Sequence, residues 1–197
     1  MKEKTISLFN ALQLSACLVS MMLFSLRAAA DTLSCDMKRL NEKGFHSSST
    51  TFQSSTAYQF EHDDSDFLWS LTVVGTPLPT HSTPLLQDAT TSDSNTQLSQ
   101  KAFSNWLAAA EKAQLIDKVE ASTSIPFHQS HIHLAHTSAL NGTAHALHGL
   151  YAGRVKNYAV VYQLLATPMT ETMPADAMEN AQTMMVAIIN SCSVVAP

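Results

Sequence analysis

The dipeptide Asn141-Gly142 lies between two runs of alternating apolar and polar residues, and no other feature restricts the fold so tightly. A tight primed turn needs positive φ at both central positions, which Asn and Gly supply at little steric cost. A two-residue loop opposes Leu140 to Thr143, and the pairing of the flanking strands follows from it. That register puts Ile132, Leu134, Leu147 and Tyr151 on one face. A turn at Gly153 to Lys156 leads to a third strand, Asn157 to Ala166, which adds Tyr158, Val160, Tyr162 and Leu164 to the same face. This is the core side. His131, His133, His148 and Gln163 fall on the other side, with Ala146 and Val161.

The remaining elements arrange themselves around this three-strand meander. Asp36 to Ser55 is polar, with one helical turn around Met37–Leu40. Tyr58 and Phe60 alternate on one strand, and Phe67, Trp69, Leu71 and Val73 on the next, joined by His62-Asp63-Asp64-Ser65. From Thr76 to Asn95 the chain carries Pro77, Pro79 and Pro84 among many Ser and Thr, which is loop chemistry. A loop of that length in a small domain is either mobile or functional. Thr96 to Leu115 reads as a helix whose apolar face is Leu98, Ala102, Phe103, Trp106, Leu107 and Ala110. A last helix runs from Pro174 to Cys192, with Met178, Ala181, Met185, Ile188, Ile189 and Cys192 as its stripe. The expected class is α+β: an antiparallel sheet, made of an N-terminal hairpin and a C-terminal three-strand meander, packed by two helices.

The first thirty residues read differently. Lys2 and Lys4 precede an apolar stretch strongest from Leu14 to Leu26, and Ala28-Ala29-Ala30 offers small residues for a signal peptidase. Met1 to Ala30 is therefore expected to be a signal peptide, with a single domain from Asp31 to Pro197 in the periplasm or outside the cell. Two alternatives stand beside cleavage. An uncleaved anchor would want about 20 uninterrupted apolar residues, and Asn10 and Gln13 interrupt this stretch. Leu14-Ser15-Ala16-Cys17 resembles a lipobox, but acylation at Cys17 would leave an apolar run where a polar tether is usual. The leader holds Lys2, Lys4, Arg27 and Glu3, so the chain's 11 basic and 16 acidic residues leave 8 and 15 beyond it, a net charge of −7. That balance gives no reason to expect nucleic acid, nor a membrane surface once the leader is gone.

Cleavage would discard Cys17 and leave Cys35 and Cys192. An even pair in an oxidising compartment is most simply one disulfide, worth about 4–5 kcal/mol by loop-entropy arithmetic. The rival is a redox or metal-ligand pair, although no Cys-x-x-Cys is present.

In order, the elements resemble the PsbP-like and DcrB-like exported domains. The residues carrying the resemblance are Leu140-Asn141-Gly142-Thr143-Ala144, Tyr158-Ala159-Val160-Val161-Tyr162 and the closing Asn190-Ser191-Cys192, within Tyr58 to Cys192. It implies a binding or accessory role more than a catalytic one.

Chemistry is concentrated in histidine. Six of nine lie between His128 and His148. His131 and His133 share a strand face about 7 Å apart by the strand repeat, and His148 sits diagonally across from His133. Three neutral imidazoles, His131, His133 and His148, could hold zinc, copper or nickel. The alternative is an exposed strand face on which histidine replaces Thr or Gln. His136 and His145 fall on the core side near the Asn141-Gly142 turn, where each is expected to bond backbone. The acidic turn Glu61, Asp63, Asp64 and Asp66 could bind calcium or simply serve the turn. Gly-x-Ser-x-Gly, His-Glu-x-x-His and phosphate-cradling glycine loops are absent, so no enzyme and no organic cofactor is expected. Two functions follow. One is an exported binding or accessory protein of the cell envelope, meeting a partner protein or small ligand through the proline-rich loop and the outer face of the meander. The other is a metal-handling protein built on the histidine cluster.

Overall fold

The computed structural model describes residues 32–42, 44–52, 55–78, 92–155 and 158–195. The expected leader and most of the proline-rich loop lie outside these, as do Lys156 and Asn157. The elements run β1 (Thr32–Cys35), α1 (Met37–Asn41), β2 (His46–Phe52), β3 (Ser55–Asp63), β4 (Phe67–Pro77) and α2 (Ser92–Lys112). They continue with β5 (Lys118–Phe127), β6 (Ser130–Ala139), β7 (Ala144–Val155), β8 (Tyr158–Pro168), α3 (Ala177–Ile189) and β9 (Cys192–Val195). Helix and antiparallel sheet are both present, as the patterning predicts, but the sheet is larger. Seven strands pair in the order β2-β3-β4-β8-β7-β6-β5, and β1 pairs with β9 in a separate two-stranded sheet. Hairpin and meander are joined into one sheet by β4 lying against β8 along its full length, from Phe67↔Pro168 to Pro77↔Tyr158.

Four strands escaped the sequence reading: the short pair β1 and β9, and β2 and β5. The last two are the edge strands of the large sheet, and an edge has less need of a continuous apolar row to specify it. β2 is His-Ser-Ser-Ser-Thr-Thr-Phe, and β5 is exposed along most of its length. Three helices are described where two long ones were expected, the short α1 being the anticipated turn. It is capped by Asp36, whose Oδ1 accepts from the Arg39 N–H at 3.0 Å.

The long helices also shift. α2 stops at Lys112 instead of Leu115 because Gln114 takes a positive φ of 57°. The N–H groups of Gln114 and Leu115 return to the carbonyls of Glu111 and Ala110, which closes the helix as a Schellman turn. α3 ends at Ile189, so Cys192 belongs to β9 and not to the helix stripe.

The Asn141-Gly142 register is the expected one, read from Ala139↔Ala144 through Ala135↔His148 to His133↔Leu150. The connection is wider than two residues, since Leu140, Asn141 and Gly142 all carry positive φ. The core side is as anticipated. Phe60, Trp69, Leu71, Val73, Ile132, Leu134, Leu147, Tyr162 and Leu164 form one buried cluster with Ala181, Met185 and Ile188 of α3.

Closure of this core involves both ends of the described chain. Cys35 and Cys192 form the expected disulfide across 157 residues of sequence. They face each other in the β1–β9 ladder, and the Asp36 N–H adds a bond to the Ser191 carbonyl at 2.8 Å. The little sheet seats itself by Leu33, whose carbonyl accepts from the Tyr58 hydroxyl at 2.9 Å. Leu33 fits because Gly75 lies beneath it: a Cβ there would stand 2.7 Å from Leu33 Cδ2 and 2.9 Å from Leu33 Cβ. Gly75→Ala is expected to cost about 1–3 kcal/mol by overpacking, and less when Leu33→Ala is already present. Urea unfolding of the two single variants and the double variant measures the coupling. Additive costs would show that the glycine is not there to seat β1.

Candidate functional site

The second face of the meander was expected to be open. It is not, because α2 lies across β6 and β7 and buries Phe103, Trp106, Ala135, Leu150 and Ala152 as a second, smaller cluster. The buried line on α2 is Asn95, Ser99, Phe103, Trp106 and Ala110, while Leu98 is half exposed. The apolar stripe read from sequence was therefore turned too far. A serine inside the true stripe was the available signal, and it reads as a break in the face when only apolar residues are counted.

Ser99 does more than fill space. In the β6–β7 ladder the register would continue from His133↔Leu150 to His131 and Ala152, but the strand pairing stops before them. The Ser99 hydroxyl stands in that gap, donating to the His131 carbonyl at 3.0 Å and accepting from the Ala152 N–H at 3.1 Å. Ser130 supports the same place, its hydroxyl 2.9 Å from the Ala152 carbonyl and 3.1 Å from that of Asn95. These groups are buried, so leaving them unpaired would cost desolvation energy.

The three predicted metal ligands all lie under or beside this helix. His131 is half-buried, with Nδ1 3.0 Å from the Thr96 hydroxyl. His133 is 2% exposed and stacks on Phe103 with ring centroids 5.6 Å apart. His148 is 1% exposed and meets Trp106 edge-on at 5.0 Å. Its Nε2 lies 2.9 Å from the Thr137 hydroxyl, which in turn donates to the Ala146 carbonyl. Nδ1 of His148 and Nε2 of His133 have no hydrogen-bond partner. Among the described residues no three His, Cys, Asp or Glu side chains are grouped to hold a metal ion. The stretch that concentrates histidine in the sequence thus spreads His131, His133 and His148 along an aromatic-covered face, with each ring taking a different neighbour.

Burial sets their chemistry. The imidazolium form needs water or an anion, and this layer provides neither. Burial holds His148 down to about 4 and lowers His133, which the neighbouring His131 lowers further. Both are neutral at pH 7.

His136 and His145 lie on the opposite face at the rim of the main core. Contrary to expectation, they bond each other and not backbone: His136 Nε2 is 3.1 Å from His145 Nδ1. Beside them Ser138 donates to Glu120 at 2.7 Å, and Lys118 pairs with the same carboxylate at 2.6 Å. Those two hydrogen bonds hold the Glu120 carboxyl below its ordinary range. Within the acidic turn, Asp64 accepts from the Asp66 and Phe67 N–H groups and from Trp69 Nε1 at 2.7–2.8 Å. Burial would raise the Asp64 carboxyl, but these three donors keep it below its usual range.

Ser99→Ala is expected to cost about 1–3 kcal/mol in urea unfolding, because it leaves the His131 carbonyl and Ala152 N–H buried without their partner. A loss below about 0.5 kcal/mol, typical of surface changes, would show the bridge to be dispensable. Acid should weaken the fold through His148. Its folded value lies below that of the unfolded chain, so its contribution is complete above pH 6.5 and is lost as pH falls toward 4. The loss is about 3 kcal/mol over that window. His148→Gln should flatten the dependence between pH 6.5 and 4, whatever it does to stability at neutral pH. An unchanged acid slope would place the titration elsewhere.

No family model matches the chain, and no curated protein matches it.

Proposed function

We propose that this chain is an exported binding or accessory domain of the cell envelope, not an enzyme, and that it meets a protein partner at the β5 edge of its sheet. The Cys35–Cys192 disulfide carries the reading. It locks the first and last strands of the described fold, and such covalent closure persists in oxidising compartments and is rare in the cytosol. The basic, apolar and small-residue order of Met1 to Ala30 supports the same compartment. An accessory role is also what the resemblance to PsbP-like and DcrB-like domains implies.

The place of binding follows from what α2 covers. With the histidine face of the meander buried, β5 offers the exposed backbone. It ends the sheet, and Ala121, Ser122, Thr123 and Ser124 are exposed in succession. Pro126, which has no N–H, and the bulge at Glu120 bracket this stretch. Such devices limit indiscriminate edge pairing while leaving a short segment for one added strand.

Fractionation of cells making the full chain tests the reading. The expected product begins at Asp31, lies in the exported fraction and resists alkylation at Cys35 and Cys192 until reduced. A photo-crosslinker at Thr123 should capture a protein, while one at Glu111 on the outer side of α2 should not. A cytoplasmic product beginning at Met1 with both thiols free would overturn the export reading. Equal capture from both positions would overturn the edge assignment.

A further inference from the structure

We infer that His136 and His145 form a binding site for a single borderline transition-metal ion, zinc, copper(II) or nickel, on the core-side rim of the sheet. The residues come from adjacent strands, in the pairs His136↔Leu147 and Ser138↔His145. They are therefore diagonal neighbours on one face, and the antiparallel register fixes their spacing without help from a loop. Two imidazole nitrogens 3.1 Å apart share an N–H in a hydrogen bond, and a metal ion that takes the place of that proton can be held by the same two atoms. Two donors held about 2.0–2.1 Å from one zinc ion at tetrahedral angles stand roughly 3.3 Å apart. At the right angle that copper(II) or nickel adopts, the spacing falls to about 2.9 Å. The observed separation lies between these values.

One neighbour, Glu120, favours a cation. Both residues are half-buried, not enclosed in the core. Glu120 is fixed by Ser138 and Lys118, and its charge acts to raise the proton affinity of His136. The same field attracts a metal ion. Burial and the neighbouring His145 act the other way and leave His136 with a lowered proton affinity, so the donor is neutral and available at pH 7. No third His, Cys, Asp or Glu joins the pair among the described residues, so water would complete the coordination, and Glu120 acts on the site through its charge alone. The ligand class follows from the donors. Imidazole selects zinc, copper and nickel over calcium and magnesium, which prefer oxygen.

His133 and His148 make the contrast. Their unpartnered nitrogens face an aromatic layer under α2, with no opening for water or an ion. Proximity in sequence to His136 and His145 gives them no share in the site.

Calorimetric titration of the full chain with zinc, copper(II) and nickel at pH 7.5 tests the inference. One ion per chain at micromolar affinity is expected, weakening below pH 6.5 as protons compete for the rings. His136→Gln and His145→Gln should each weaken binding by at least roughly tenfold, and Glu120→Gln by about tenfold, the range given by outer partners of a ligand. His46→Gln and His128→Gln, at exposed rings, should have no effect. Because a rim variant could disturb the fold, zinc titration of the unaltered protein is followed through its imidazole nitrogen resonances. The His136 Nε2 and His145 Nδ1 signals should shift, and those of His133 and His148 should not. Absence of stoichiometric binding, or shifts at other histidines, would overturn the site.

Discussion

The Ser99 hydroxyl is the contact on which the layering of this protein turns. It occupies the place of a ladder bond between His131 and Ala152, so β6 and β7 can part there without leaving buried backbone groups unpaired. The helix that carries it is thereby registered against the sheet by backbone chemistry and not by apolar contact alone. Phe103 and Trp106 then descend on His133 and His148, one and two turns further along α2. Without a directional bond of this kind, the small second cluster would have to select one helix position by dispersion among five residues. Hydrogen bonds to fixed backbone atoms discriminate between positions more sharply than non-directional burial does.

The two faces of the sheet are consequently stabilised in different ways. The core side is a continuous apolar layer closed by α3 and by the β1–β9 pair, and the disulfide ties its covering strands together. The other side is narrower and carries polar groups that are buried, mostly bonded and neutral. Its stability varies with acidity because an imidazole covered by tryptophan cannot take up a proton in place. Among the described residues the core side has no buried imidazole at its centre. Tyr151 and Tyr162, two of its buried tyrosines, are both pushed upward by burial and stay neutral throughout the ordinary range.

Much of this was legible from the chain, and the rest was hidden for identifiable reasons. Asn141-Gly142 fixed the facing of every residue in β6 and β7, and the alternation in Phe67 to Val73 fixed β4, because buried strands leave a period of two. The disulfide was readable from cysteine arithmetic. The edge strands β2 and β5 were not, since a strand paired on one side and solvated elsewhere carries Ser and Thr without a diagnostic period. Covering of the histidine face by α2 was also invisible. A serine in a helix stripe looks like a polar intrusion until the strand gap that it fills is known. His136 and His145 were placed on the correct face, but a register gives neighbours and not ring directions, so their mutual bond could not be read.

Face parity also explains why one dense histidine segment divides into two unlike sets. His131 and His133 are two residues apart and share a face, while His136 follows at an odd interval and points through the sheet to the other side. The same rule separates His148 from His145 across the turn. In one set His133 and His148 are buried against aromatic rings, with His131 half-buried at their margin. The other meets a carboxylate, a serine and solvent at the rim of the core. Counting histidines in a window of sequence therefore overstates how many can act together. Strand parity sets the number that can meet, and the covering layer decides whether those that do meet are open to water, protons or ions.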